Sequence, residues 1–395
     1  MRLLVLTTSF PSTVYPHSGV FVRRLLERLP EDIRVTVLTP ALDRTGEFSG
    51  RGNRIKIGGV CYAPRAWQTL AHGEGGIPVA LRRHPWQWAL VPVFCMALLV
   101  QTLRLARQAD LIHAHWSVCG VIAGLAGRLT GTPVVTTLRG EDVTQADTSV
   151  LFRTAMRWCA LLNDRIVTVG LAMAEKVDYW LSARGGHLAV IPNGVGLTLN
   201  ATQPMTKGRR FVVAAIGNLI DRKKVDSVVG AFAMFAEHAP SVKLVVVGDG
   251  PRRGALEAMV RNLGQRDRVA FTGAIPPDAV PELLSRCSAL VLASRSEGRP
   301  NVVLEAMAAG VPVVASDIDG VREMIVHGER GLLFPVGDER QLAAHLRRLM
   351  GEPDLARRLA ANARQWVDDQ GLTWENAARR YAELYHDVIR RRHQP

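Results

Sequence analysis

The chain has 395 residues, 48% of them apolar, and a formal net charge of +13. That is long for one domain and suits two of roughly 200 residues each, with enough apolar material for two cores. Its five cysteines include no Cys-x-x-Cys pair, which argues against a zinc site and a disulfide framework and fits a reducing compartment.

The positive excess is spread along the chain, with 21 basic and 13 acidic residues before position 201 and 28 and 23 after it. It suits an anionic substrate, an anionic membrane surface or nucleic acid without choosing among them. No basic motif interleaved with aromatics speaks for nucleic acid, and none is expected as a partner. Arginine outnumbers lysine 43 to 6, so the adjacent Lys223 and Lys224 stand out.

Residues 3–6 (LLVL) read as a first buried strand, an apolar run too short for a signal-peptide core. A loop ending at Gly19 leads to an amphipathic helix over 20–29; that glycine either admits a phosphate or sugar against the backbone or serves a turn. Residues 33–38 are a second strand, and 41–80 are rich in Gly and Pro without a clear period. The uncharged run 85–103 approaches bilayer-spanning length, but Gln87, Pro92, Gln101 and Thr102 interrupt it. The preferred reading is a helix buried on the N-terminal sheet. An intermediate one lets its Arg82, Arg83, Trp86 and Trp88 end touch a membrane surface.

Residues 110–116 (DLIHAHW) form a strand that delivers His113 and His115 to one side. Alone, such a pair is more often packing than chemistry. Residues 120–127 are a small-residue helix and 133–137 a strand, followed by Arg139-Gly140-Glu141-Asp142. By themselves Arg139 and Asp142 read as a surface ion pair. A strand over 165–169 and a helix over 171–181 lead to IPNGV at 191–195, with its Asn-Gly turn signal. Residues 198–208 are polar and weakly patterned, as a linker would be. The predicted divisions are 1–198, 199–373 and a C-terminal helix within 374–395.

Alternation restarts with a strand at 211–216 that ends at Gly217. The next loop puts Lys223 at the strand's carboxyl edge, where a compact charge reaches a diphosphate; alone, it would pass for a solvated lysine. After a strand at 243–247, Gly248-Asp249-Gly250-Pro251 is a tight loop that lets a base or ribose near the backbone, a weak signal by itself. A strand at 269–273 and a short helix at 277–285 follow. Residues 289–293 and 311–315 are buried-type strands around a compact helix, opened by Pro300 and closed by Gly310.

Glu297 lies in the loop before that helix and Glu305 in its first turns. With the N–H groups of Asn301, Val302 and Val303 they would line the carboxyl end of the strand, where open parallel sheets bind ligands. The arrangement suits a phosphorylated ligand bearing hydroxyls; it equally suits carboxylates that only offset the helix dipole. Asp317-Ile318-Asp319 follows a strand and reads as a turn. A strand at 331–335, a helix at 338–350 and a long amphipathic helix at 374–391 complete the chain.

The segment EGRPNVVLEAMAAGVPVVASDIDGVREMI resembles the E-x7-E signature region of retaining glycosyltransferases of family 4, the GT-B fold. TSFP…SGVFVRR, DLIHAHW and IPNGV resemble the same family, and the likeness is weakest over 41–107. It implies an α/β fold of two Rossmann-like parallel-sheet domains facing each other across a cleft, acceptor in the first and nucleotide sugar in the second, with the last helix crossing back to the first. It implies front-face transfer of a sugar from a nucleotide-diphosphate-sugar donor to a glycan or lipid-linked glycan, with no metal and no cofactor. Relatives of this kind build cell-envelope glycans and exopolysaccharide at the cytoplasmic membrane face, which fits a contact between the N-terminal domain and an anionic membrane surface.

The resemblance also implies roles. Glu297, His115 and Lys223 would be the catalytic set, with Glu297 on the sugar hydroxyls and His115 near the anomeric carbon. Lys223 and the N–H groups at Asn301, Val302 and Val303 would hold the diphosphate, Glu305 the ribose, and Gly19, Gly217, Gly248 and Gly250 would approach the donor. Arg139 and Asp142 would meet the acceptor. Three positions depart from the family pattern. Asn218 stands where arginine is usual, with Arg222 as a candidate substitute. Arg139 stands where histidine is usual, pointing to an acceptor with negative charge, and Gly196 where an aspartate is usual. They keep one alternative open, a nucleotide-sugar or polyanion-binding protein that has lost catalysis; the other alternative, a nucleotide-sugar epimerase on the same fold, is opposed by the transferase-like E-x7-E region and by the HAHW and RGED segments.

Overall fold

The computed structural model describes residues 1–12, 17–41, 54–71, 76–181, 187–196, 210–239 and 241–393. The chain divides into two units, Met1–Asn193 with Trp374–Pro395, and Gly194–Thr373. The first stretch ends a few residues before the expected boundary at 198; the linker expected over 198–208 lies outside the described residues.

The first unit is built on a seven-stranded sheet, all parallel, in the order β3-β2-β1-β4-β5-β6-β7. Its strands are β1 (Arg2–Leu6), β2 (Arg34–Pro40), β3 (Ile55–Val60), β4 (Leu111–His115), β5 (Val134–Leu138), β6 (Arg165–Thr168) and β7 (Leu188–Val190). Every residue of β4 and β5 is buried, as in a parallel sheet covered on both faces. The helices are α1 (Val20–Glu27), α2 (Gly76–Arg83), α3 (Leu90–Ala106), α4 (Ser117–Thr130), α5 (Glu141–Thr148), α6 (Val150–Leu162) and α7 (Leu171–Leu181). β3, α2, α5 and α6 go beyond the predicted elements. The small residues of α4 allow close packing: a Cβ on Gly120 would fall on the Cys159 sulfur of α6.

The apolar run from Pro85 to Ala106 is long enough to cross a bilayer by length and composition. It forms one tight turn, Pro85–Ala89, and then α3, which buries Leu90, Phe94, Leu98, Thr102 and Ala106 at steps of four. That stripe sits in the core with Leu4, Ile112 and Ile122. The expectation of a helix buried on the sheet therefore holds for one stripe only; Val93, Met96 and Val100 on the other side are exposed. A helix has two sides and the sheet covers one.

The second unit has six parallel strands in the order β10-β9-β8-β11-β12-β13. These are β8 (Val212–Ile216), β9 (Lys243–Val247), β10 (Val269–Gly273), β11 (Ala289–Leu292), β12 (Val313–Ser316) and β13 (Leu332–Phe334). The helices are α8 (Val225–Ala236), α9 (Arg253–Asn262), α10 (Val280–Ser285), α11 (Asn301–Ala308), α12 (Asp319–Arg322), α13 (Glu339–Gly351) and α14 (Pro353–Asp369). α9 and α14 are additional to the prediction. The two ends of this unit meet, Val195 N–H donating to the Leu372 carbonyl at 2.9 Å.

The chain then returns as α15 (Trp374–His393), which places Trp374, Tyr381, Tyr385 and Val388 in the core that holds Leu3, Val5 and Val22 of the first unit. Strand order reverses between β1 and β4 in the first sheet and between β8 and β11 in the second. At such points the carboxyl ends of parallel strands open a crevice for ligands.

Candidate functional site

In the second unit both loops at the reversal carry charge. The chain leaves β8 through Gly217, makes a single turn at Asp221–Lys223 and enters α8. From β11 it passes through residues 294–299 to Pro300, which precedes the first turn of α11. Lys223 Nζ donates to Glu297 Oε1 at 2.6 Å, and Ser294 Oγ donates to the same oxygen at 2.6 Å. Arg222 Nη1 donates to the Ser296 carbonyl at 2.7 Å and lies 3.3 Å from Glu297 Oε2. The Glu297 side chain is only 9% exposed. Burial by itself would raise its carboxyl, but the Lys223 and Arg222 charges and the Lys223 and Ser294 hydrogen bonds hold it below the ordinary value. Glu297 is thus an ionised acceptor rather than a proton carrier. Arg222, the candidate substitute for the arginine usual at Asn218, belongs to this cluster, whereas Asn218 is exposed.

The glycines beside it have a local cause. A Cβ on Gly248 would fall on the Gly217 carbonyl, and one on Gly250 would lie 2.6 Å from the Leu219 oxygen. Leu219 N–H donates to the Asp249 carbonyl at 2.8 Å and Arg252 N–H to the Leu219 carbonyl at 3.0 Å. This clasp between loops already requires glycine at 248 and 250, without the approaching nucleotide that the sequence suggests. Gly217 is less crowded, with Lys223 Cε 3.5 Å from the place of a Cβ.

Glu305 lies a turn into α11, half-buried, and is not among the partners of Glu297. The anion site expected at Asn301, Val302 and Val303 needs one correction: the Val303 N–H donates to the Pro300 carbonyl at 3.1 Å, because the helix closes its first turn there. Asp317 pairs with Arg322 at 2.6 and 3.0 Å, and Asp319 opens α12 where a turn was expected. Among the described residues no group of three or more His, Cys, Asp or Glu is placed to hold a metal ion.

In the first unit β4 delivers His113 and His115 fully buried, their ring centroids 4.3 Å apart. His113 bonds Thr137 Oγ1 at 2.8 Å through Nε2 and the Tyr385 hydroxyl at 2.7 Å through Nδ1; Thr137 also bonds the Tyr381 hydroxyl at 3.0 Å. So α15 lays a floor beneath the pair. His115 Nδ1 lies 3.1 Å from Arg139 Nη2. A guanidinium only donates, so Nδ1 accepts and the neutral ring carries its proton on Nε2. Burial, then the neighbouring His113 and Arg139, hold His115 well below the ordinary histidine value. Burial and Arg139 bring His113 to about 3. His115 Nε2 and Ser117 Oγ are buried polar atoms without a hydrogen-bond partner, on either side of Trp116. Trp116 itself has φ 69° and ψ 154°, a backbone conformation that costs about 1–3 kcal/mol outside glycine and clusters at functional sites.

Asp142 is placed otherwise than the sequence suggests. Its carboxylate accepts N–H bonds from Ser117, Arg139, Gly140 and Val143 at 3.0, 3.3, 3.2 and 3.1 Å. At 3% exposure it braces the turns after β4 and β5, and is neither a surface ion-pair partner nor an open acceptor contact. Burial raises its carboxyl in spite of those N–H bonds. The Arg139 guanidinium goes instead to Asn193 Oδ1 at 2.7 Å and to His115, and lies 4.6 Å over the Phe21 ring. Gly19 caps α1 at φ 64°, and a Cβ there would fall on the Ser9 carbonyl, so the loop alone demands glycine.

Ser294, Asn193, Ser117, Tyr381 and Tyr385 join these clusters without having been predicted. The two tyrosines carry a signal, the i,i+4 spacing of one helix face. Asn193 carries none, because IPNGV reads only as a turn.

Residues 18–199 match the family model described as Glycosyltransferase Family 4, and residues 200–366 the one described as Glycosyl transferases group 1. N-acetyl-alpha-D-glucosaminyl L-malate synthase of Bacillus anthracis is 29% identical over 312 residues, 76% of this chain and 81% of that protein. A putative glycosyltransferase, EpsD, of Bacillus subtilis (strain 168) is 28% identical over 281 residues, 65% of this chain and 72% of that protein. Among solved structures, sucrose-phosphate synthase from Thermosynechococcus elongatus superposes with a TM-score of 0.80 at 22% identity, over 98% of this chain and 99% of that one. HepE of Anabaena, in complex with UDP and glucose, superposes at 0.76 and 21% identity, over 98% of this chain and all of that one. The structural likenesses carry the fold, and the two family models together cover both parallel-sheet units from residue 18 to 366. The chain belongs to glycosyltransferase family 4 and has the GT-B fold.

Proposed function

We propose that this chain transfers a sugar, with retention at the anomeric carbon, from a nucleotide-diphosphate donor to a hydroxyl of a glycan or lipid-linked glycan in cell-envelope or exopolysaccharide assembly. The observation that carries this reading is the Lys223–Glu297 pair at the reversal of strand order in the second unit. A departing diphosphate needs positive charge as it leaves. Lys223 and Arg222 supply it, both tethered to one buried carboxylate. Glu297 accepts from sugar hydroxyls and Glu305 from the ribose, while the amides at the start of α11 face the phosphates. HepE, a structural neighbour, binds UDP and glucose, which supports a ligand of this class.

Neither Glu297, held ionised, nor His115, held neutral with its proton on Nε2, is set to take a proton. The acceptor's proton therefore goes to the departing phosphate, and His115 Nε2–H serves as a donor to a sugar oxygen. Arg139 favours an acceptor carrying negative charge. The scheme uses no cofactor.

Thermal stabilisation by a panel of nucleotide sugars identifies the donor, since ligand binding to the folded state raises apparent stability. Transfer is then measured with that donor. Glu305→Ala should mainly weaken donor binding, and Lys223→Ala should lower turnover as well. Transfer at the wild-type rate by both variants would reject the site. Tight donor binding with no release of sugar would fit a binding protein instead.

A further inference from the structure

α3, α4 and α6 lie side by side on the first unit, with α4 packed against both neighbours. Their inner faces enter the cores, with Phe94, Ile122, Met156 and Cys159 buried. Their outer faces are also apolar. α3 and the turn before it expose Trp86, Trp88, Val93 and Met96; α4 exposes Leu125 and Leu129; α6 exposes Leu151, Trp158 and Leu161. The exposure is large on all three, 60% at Met96 and 53% at Trp158 within α3 and α6, and 73% at Leu129 in the last turn of α4. An apolar area running across three adjacent helices marks a surface that meets something else.

Charge says what. The three helices contain no Asp or Glu, and they carry Arg104, Arg128, Arg153 and Arg157. Elsewhere in the same protein, α14 and α15 mix both signs along their length, so the bias is not a general habit of its helix surfaces. A second copy of the chain fits poorly. In a two-fold pair the patch meets itself, and neither helix layer offers a carboxylate to the arginines brought into the interface. An anionic bilayer satisfies both features: tryptophans and aliphatic side chains enter the headgroup boundary while arginines meet lipid phosphates. α3 cannot span that bilayer while its Leu90, Phe94 and Leu98 stripe sits in the protein core, so the contact runs along the surface.

We propose that the outer face of α3, α4 and α6 docks the chain on an anionic lipid bilayer. The surface stands apart from the transfer reaction, and its test uses neither donor nor acceptor. Co-sedimentation of the full chain is compared on vesicles of phosphatidylcholine alone and of equal parts phosphatidylcholine and phosphatidylglycerol. Stronger binding to the anionic vesicles is expected. Arg104→Gln with Arg157→Gln should weaken it roughly fivefold for each arginine removed. Met96→Glu with Leu129→Glu should abolish it, circular dichroism confirming that the exposed substitutions leave the fold intact. Failure of the wild-type chain to sediment with anionic vesicles overturns the proposal, as does undiminished binding by the glutamate variant. A concentration-dependent dimer that Met96→Glu dissociates, without vesicle binding, also overturns it and gives the face to a second copy.

Discussion

Lys223 and Glu297 stand 74 residues apart in the chain and meet at 2.6 Å, each on the first loop after its own strand. Both are largely buried, so the pair is less screened than a surface bridge. Lys223→Ala leaves the carboxylate with Arg222 and Ser294 alone and should lower stability by about 1–3 kcal/mol. Urea denaturation measures this; an unchanged midpoint would mean the pair contributes nothing to the fold.

The same carboxylate gives a pH dependence of known sign. Glu297 is held below its ordinary value in the folded chain, so its contribution is complete above the ordinary glutamate range of about 4.3 and is lost as pH falls through the folded value. The gap in melting temperature between wild type and Glu297→Gln should therefore be widest near neutrality and narrow in acid. A gap that stays constant on acidification would contradict the assignment.

His115 should show the Nε2–H tautomer by nitrogen-15 NMR and should take up a proton only well below the ordinary histidine range. Arg139→Gln removes the obligate donor to Nδ1 and should release the ring to a mixture of tautomers. A wild-type His115 titrating near 6.5 would refute the arrangement.

Tyr385→Phe removes the hydroxyl that bonds His113 inside the first unit. One buried polar atom is left without its partner, at about 1–3 kcal/mol. The unfolding midpoint should fall while nucleotide-sugar stabilisation, which is proposed for the second unit, stays the same. A loss of that stabilisation would show that the effect is not local.

Gly248→Ala sets a Cβ on the Gly217 carbonyl at a backbone φ of 128°. Strain and overlap together should cost roughly 2–4 kcal/mol. A variant of wild-type stability would show that the clasp between the two loops yields easily.

Much of the fold is legible in the sequence because parallel strands are short apolar runs with breaks at their ends. β9, β10 and α7 coincide with the predicted 243–247, 269–273 and 171–181. β3 is hidden because Gly58 and Gly59 interrupt its alternation. α5 is hidden because EDVTQADT is mostly polar. α14 is different: it buries Leu355, Leu359, Ala363 and Val367 at steps of four, so its omission owes nothing to a missing signal.

At the site, Lys223 and Glu297 are legible as loop residues after strands, but their mutual bond is not, since nothing local encodes a contact across such a separation. The loss of the Val303 N–H to Pro300 is a matter of one helical turn, below the resolution of any pattern. Asp142 shows the opposite error. The residues alone read Asp142 as half of a surface ion pair and the family resemblance as an acceptor contact, and only the backbone around it reveals four amides bonded to its oxygens.

The return of α15 to the first unit has a consequence for biogenesis. Trp374 and Tyr385 complete a core begun by Leu3 and Val5, so synthesis must pass residue 385 before that core can close. The intervening unit has its ends joined by a single bridge between Val195 and Thr373, and can close as soon as residue 373 is out. The first unit therefore has all seven strands long before it has α15, the helix that seals its core, and the whole of the other unit is made in between.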